Sequence, residues 1–150
     1  MSWQYTPYGL LLVVAAVTSL ATAAWAARGW HNRGTPVFVA LLCSLSLWAG
    51  SDAAQLASTT LSGKLFFRTL GYVGHNLVPV LLLLFAFQYT GRGRWLSRRA
   101  VGVVALEPLV VAFVVTPTDA LGWHDLIWPA VSLRTVEGVV LLSRSFGPWY

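Results

Sequence analysis

Charged side chains are scarce in this sequence. Asp, Glu, Lys and Arg together make up 10% of the 150 residues, and only five residues are acidic, whereas about a quarter of a soluble domain is charged. Hydrophobic residues make up 57% of the chain, and its mean hydropathy is +0.67. This composition excludes an ordinary soluble domain and indicates an integral membrane protein.

Cysteine is equally scarce, because Cys43 is the single one in the chain. One cysteine excludes a disulfide framework and a cysteine cluster for metal or redox chemistry, and its place in an apolar run predicts a small packing residue. The net charge of +5 would suggest nucleic acid as the partner of a soluble protein. In membrane proteins, however, basic residues gather in cytoplasmic loops, so we predict a lipid bilayer and no nucleic acid.

Four apolar stretches, at about 9–27, 36–56, 70–89 and 100–116, approach the ~20 residues that a transmembrane helix needs. A cleaved signal peptide is the alternative for the first, but no Lys or Arg precedes it as a signal peptide requires. Small residues recur at intervals of four in the first two stretches and predict ridges for helix packing. These ridges are Ala15, Ser19, Ala23 and Ala27, and Ser46, Gly50, Ala54 and Ser58.

Two short basic loops, at 28–34 and 90–99, set the predicted orientation. They hold Arg28, Arg33, Arg92, Arg94, Arg98 and Arg99. Because the positive-inside rule is most reliable for short loops, we predict that both loops lie in the cytoplasm. The N-terminus of this multi-pass protein of the cell membrane is then outside.

The segment at about 117–147 differs from the rest. Two β-prone runs, Ala130 to Thr135 and Val139 to Ser143, flank Val-Glu-Gly and predict a β-hairpin with Gly138 in the turn. Arg134 and Arg144 interrupt the segment and exclude a fifth span. The predicted fold class is therefore an all-α transmembrane bundle of four spans with an extracellular loop that carries a short hairpin.

Short motifs follow one another in a fixed order along nearly the whole chain. They are Leu47-Trp48-Ala49-Gly50, Lys64-Leu65, Leu70-Gly71-Tyr72-Val73-Gly74, Val78-Pro79, Phe87-Gln88-Tyr89-Thr90-Gly91-Arg92, Glu107-Pro108, Trp123-His124 and Gly147-Pro148. In their order and spacing the chain resembles the N-terminal seven-transmembrane sensor region of prokaryotic histidine kinases, particularly archaeal ones.

The resemblance implies that residues 1–150 are a single membrane domain, the first four spans and outer loop of a seven-helix sensor region. In that family three more helices follow, and the seventh leads to cytoplasmic signalling domains. The implied partners are therefore kinase domains, in cis in a longer chain or in trans. Since this sequence has no phosphoacceptor-histidine segment and no Gly-rich ATP site, we predict that the chain itself is not an enzyme.

Polar residues inside the spans are the candidate functional residues, because ionisable groups in hydrocarbon usually face other helices or water. The candidates for ligand contact or sensing are Trp48, Asp52, His75, Asn76 and Glu107. At about 1.5 Å per residue, Asp52 and His75 lie roughly 21 to 24 Å up a ~30 Å core, and Glu107 about 12 Å up. Asp52 and His75 can therefore meet in the outer third, but Glu107 cannot reach them without water.

Two interpretations of Asp52 and His75 stay open. They are either a ligand-contacting or proton-sensing pair in an outward-facing pocket, or a polar contact that fixes helix packing. Pro79 favours the pocket because it leaves the His75 carbonyl without its helical donor. Glu107 either binds a cation or relays a proton, or is protonated and hydrogen-bonded. The predicted structural positions are Gly71, Gly74, Pro79 and Pro108.

No cofactor and no metal site are predicted. Haem needs axial ligands at matched depth, whereas His31, His75 and His124 fall at three different levels. Zinc needs a closely spaced set of His, Cys or carboxylate ligands, which this sequence lacks.

Two functional hypotheses remain. The first is the sensor region of a signal-transduction histidine kinase, which detects an unknown small ligand in an outward-facing pocket and is compatible with a homodimer. The second is a small transporter or channel-like bundle that uses Asp52, His75 and Glu107 as a polar path. An intramembrane enzyme ranks last, because no nucleophile and base can be paired.

Overall fold

The computed structural model describes residues 3–32, 34–92, 101–103, 105–106, 110, 130–136 and 138–145. Its elements are three long helices, a 3-10 turn (Ala27–Gly29) and two strands. They are α1 (Pro7–Ala26), α2 (Thr35–Ala57), α3 (Leu61–Tyr89), β1 (Ala130–Val136) and β2 (Val139–Ser145). The predicted class, a helical membrane bundle with a small hairpin, is confirmed.

Each long helix begins at a recognisable sequence signal. Thr6 caps α1, accepting a hydrogen bond from the Gly9 amide at 3.1 Å, and Pro7 occupies the first helical position. The side chain of Thr60 caps α3 in the same way. All three helices are long and apolar enough to cross a membrane.

Helix α3 begins at Leu61, nine residues before the predicted span at 70–89. The interpretation of 57–69 as a linker between the second and third spans is therefore wrong, and the turn between α2 and α3 is only residues 58–60. Hydropathy located the hydrocarbon part of α3 but not the capped, more polar turns before it. At 29 residues the helix is about 43 Å long. It exceeds a ~30 Å core, so its first turns reach the membrane interface.

Helix α2 is the middle of the bundle and packs against both α1 and α3. The Ser46 hydroxyl donates to the Ala16 carbonyl at 2.9 Å, and Ala16 and Ala23 are buried whereas Ala15 is exposed. Ala23 of the predicted α1 ridge is therefore buried, whereas Ala16 packs in place of Ala15, because a spacing of four drifts around a helix of 3.6 residues per turn. Cys43, predicted to pack inside, is also exposed.

The backbones of α2 and α3 approach each other closely at Gly74. A Cβ atom there would lie 2.7 Å from the Trp48 backbone nitrogen and 2.8 Å from the Ser44 carbonyl oxygen. Only the absence of a side chain allows the two backbones to approach this closely. Farther along the same interface, the rings of Phe38 and Phe85 lie 5.1 Å apart.

The N-terminal segment joins the end of α2 to the hairpin. The backbone N–H of Gln4 donates to the Ala57 carbonyl at 2.7 Å. In the side chain of Gln4, Nε2 donates to the carbonyls of Leu56 at 2.7 Å and Val140 at 2.9 Å. Gln4 Oε1 accepts from the Val140 amide at 2.9 Å. The Gln4 side chain thus forms the same two hydrogen bonds with Val140 that the backbone of a neighbouring strand would form. These bonds hold β2 at the end of α2.

The hairpin itself is confirmed. Strands β1 and β2 are antiparallel, with Val136 opposite Val139, and Gly138 has a φ of 79°, a turn conformation that favours glycine.

Arg92 and Val140 lie at opposite ends of the bundle, because Arg92 follows α3 and Val140 is bonded to Gln4. Within the predicted fourth span, 101–103, 105–106 and 110 are helical, and its other residues lie outside the described ones.

Candidate functional site

A cavity of about 340 Å³ lies between α2 and α3 in the half of the bundle that contains the N-terminus. We call it the α2–α3 cavity. Its lining comprises Trp48, Asp52, Arg68, Gly71, Tyr72, His75 and Asn76. The α2 residues are one turn apart, and the α3 residues are spaced by three or four positions along one face of the helix. Helical periodicity therefore places all these side chains on two facing surfaces.

Four of the five candidate residues named from the sequence line this one cavity: Trp48, Asp52, His75 and Asn76. Glu107, the fifth, and Pro108 beside it lie outside the described residues. The equal depth expected for Asp52 and His75 agrees with their shared cavity. What these side chains do remains a prediction.

The charged partner of Asp52 is Arg68. Arg68 Nη1 lies 3.9 Å from Asp52 Oδ1, and the side chains are 21% and 27% exposed, respectively. This separation is longer than a hydrogen bond, so the ion pair is loose. A Cβ atom on Gly71 would lie 3.3 Å from Asp52 Oδ1, and the glycine therefore leaves room for the carboxylate.

The Arg68 guanidinium also stacks on an aromatic ring. Its central carbon is 4.8 Å from the centroid of the Tyr72 ring, within the range of a cation–π interaction, and Nη2 is 3.4 Å from the Tyr72 hydroxyl. Arg68 Nε is buried and has no hydrogen-bond partner among the described residues. One donor of the guanidinium is thus left unsatisfied.

His75 forms an aromatic wall rather than a close polar contact with Asp52. Its ring centroid lies 4.6 Å from that of Trp48, in an edge-to-face arrangement, and 6.4 Å from that of Tyr72. Pro79 lies one turn farther along α3, which continues through it. Since proline has no amide hydrogen, the His75 carbonyl lacks its usual helical donor.

Asn76 presents an unsatisfied amide. The residue is 9% exposed, and its Nδ2 atom has no hydrogen-bond partner in the part of the chain that the structure describes. A buried donor without a partner costs about 1–3 kcal/mol. The wall of the cavity therefore contains an unsatisfied donor.

Sequence reasoning missed Arg68 because it placed this residue in a linker. The available signal was a spacing of four, which puts Lys64, Arg68, Tyr72 and Asn76 on one side of a helix. Lys64 was missed for the same reason. It is 1% exposed, and its ammonium donates to the Gln55 carbonyl at 2.9 Å, where a cation suits the last turn of α2.

Two arginines of the predicted cytoplasmic loops lie at the end of the bundle opposite the cavity. Arg28 and Arg92 are both exposed there, whereas Arg33, Arg94, Arg98 and Arg99 lie outside the described residues. Within the described ranges, no three His, Cys, Asp or Glu residues are grouped closely enough to hold a metal ion.

The comparisons with known proteins gave one match. The family described as "N-terminal 7TM region of histidine kinase" matches residues 10–150 of this chain. The match includes α2, α3, the α2–α3 cavity and the hairpin. It also includes α1 apart from its first turn. Neither the comparison with curated proteins nor the comparison with solved structures found a match.

Proposed function

We propose that the α2–α3 cavity receives the stimulus of a membrane sensor. The premise is that this chain belongs to the family of N-terminal seven-transmembrane regions of histidine kinases. The family makes the chain a membrane sensor region, not the catalytic part of a kinase. It also favours a sensor over the transporter or channel considered from the sequence. We further propose that the end with Gln4 and the hairpin faces outside, because the predicted cytoplasmic loops carry the arginines.

The observation that carries the proposal is the loose ion pair of Asp52 and Arg68 between α2 and α3. The two side chains have lost most of their contact with water, which is costly unless good geometry compensates the charges, and a 3.9 Å separation does not provide that geometry. Polar groups retained at such a cost in a membrane protein are characteristic of functional sites.

The geometry also supports a route for the signal. The cavity residues of α3 belong to a helix that continues without interruption to Tyr89. At the far end, the interface of α2 and α3 is formed by Phe38 and Phe85. A ligand that changes the separation of Asp52 and Arg68 would move α3 against α2 and reach kinase domains as a helix shift, a common form of signal transfer.

The test is the basal autophosphorylation of the full-length kinase that carries this chain, reconstituted in liposomes. Asp52→Asn and Arg68→Gln should each change the basal rate by about fivefold or more, the lower range of allosteric coupling. Arg134→Gln removes an exposed charge from β1 and should leave the rate unchanged. Rates within twofold of the unmodified protein for both cavity variants, with thermal unfolding showing that they are folded, would exclude the proposed function.

A further inference from the structure

We infer that the α2–α3 cavity binds a small zwitterion whose ammonium and carboxylate are a few bonds apart, as in a free α-amino acid. The inference rests on the proposed function in that it assigns a ligand class to the same cavity. Its basis is the charge balance of the cavity, the two unpartnered donors and the aromatic wall.

The first argument is charge balance. Among the described residues, Asp52 and Arg68 are each other's only ionic partner, at 3.9 Å. A ligand with only a negative charge would draw Arg68 away and leave the Asp52 carboxylate without a counter-charge, and a cation would do the reverse to Arg68. A charge left unpaired in such a place is strongly unfavourable. A zwitterion supplies an opposite charge to both residues and leaves the net charge of the cavity unchanged.

The second argument is the pair of unused donors. Arg68 Nε and Asn76 Nδ2 are buried nitrogens without a hydrogen-bond partner among the described residues, and Asn76 is more than nine-tenths buried. Both nitrogens carry hydrogens and can only donate. A ligand carboxylate offers the acceptors that these nitrogens lack once the two side chains turn toward it, while the Asp52 carboxylate accepts from the ligand ammonium.

The third argument is size and wall chemistry. Trp48, Tyr72 and His75 contribute rings to the lining, which gives an apolar surface for the carbon skeleton and an aromatic face for the ammonium. A volume of about 340 Å³ is at the small end of ligand cavities, which span roughly 300–1,000 Å³. It suits a molecule of amino-acid size and excludes a folded peptide.

The experiment is a binding series on the full chain in lipid nanodiscs. The twenty standard α-amino acids are screened at millimolar concentration by thermal shift. The strongest is then compared by calorimetry with its N-acetyl derivative, which is an anion, and its amide, which is a cation. At least one amino acid should stabilise the chain, and each singly charged analogue should bind at least tenfold more weakly.

The variants should change the preferred charge. Asp52→Asn should favour the N-acetyl derivative over the amino acid, Arg68→Gln should favour the amide, and Arg134→Gln should change neither preference. Absence of stabilisation by any of the twenty, or equal binding of all three charge forms, would overturn the ligand class.

The two proposals fail separately. If the cavity variants change kinase output while no amino acid binds, the ligand class is wrong and the proposed function stands. If an amino acid binds with the expected charge preference but does not alter kinase output, the ligand class stands and the proposed function is wrong.

Discussion

Gly74→Ala should lower the free energy of unfolding by about 2–3 kcal/mol, the upper range for overpacking. The new methyl group would lie 2.7 Å from the Trp48 nitrogen and 2.8 Å from the Ser44 oxygen. Both are backbone atoms, which cannot turn away as a side chain does, so α2 and α3 must separate along their whole interface. The measurement is SDS-induced unfolding of the purified chain in mixed micelles.

Gly50→Ala is the matched control. A Cβ atom at Gly50 would meet the Ala16 methyl group at 3.8 Å, an ordinary contact, and alanine is the better helix former by up to about 1 kcal/mol. This variant should be as stable as the unmodified chain or slightly more so. Equal stability of the Gly74 and Gly50 variants would show that the backbones of α2 and α3 are not in close contact.

Asp52→Leu should destabilise the chain by about 2–3 kcal/mol, because it leaves the Arg68 guanidinium without its counter-charge. A fully buried pair loses about 3–5 kcal/mol when one partner is removed. We expect less here since the two side chains are 21% and 27% exposed and solvent screens part of the interaction. The double variant Asp52→Leu with Arg68→Met should recover most of the loss, because it removes both charges.

A double-mutant cycle measures this recovery. The combination of Asp52→Leu with Arg134→Met is the control, since Arg134 is exposed on β1, and its effects should add to within about 0.5 kcal/mol. Additive effects for the pair at positions 52 and 68 would mean that the two charges do not interact, and the cavity would lose its central feature.

Residue counting placed Asp52 and His75 relative to each other better than hydropathy placed the start of α3. Depth along a helix follows from residue counting, so the sequence alone could place Asp52 and His75 at the same depth in the membrane. The hairpin followed from a local turn signal at Gly138. Both predictions depend on short-range rules that the rest of the fold does not change.

What the sequence could not supply were contacts between distant or polar segments. Arg68 seemed to lie in a linker because hydropathy detects the hydrocarbon-spanning part of a helix and not its extension into the interface. Gln4 is 136 positions from Val140, and no local pattern indicates that a side-chain amide will pair with a strand. The charged partner of Asp52, Arg68, was therefore missed, although the helix and depth of Asp52 itself were predicted.

The central claim is that the α2–α3 cavity opens to the outside while the arginine-bearing end faces the cytoplasm. Its most direct test is cysteine labelling in intact cells with a membrane-impermeant thiol reagent, starting from Cys43→Ser. Single cysteines are introduced by His75→Cys in the cavity, Arg92→Cys at the far end and Leu83→Cys on an exposed apolar face. We expect position 75 to be labelled from outside, position 92 to be labelled only after permeabilisation, and position 83 to stay unlabelled. Labelling of position 92 in intact cells, with position 75 protected, would contradict the account.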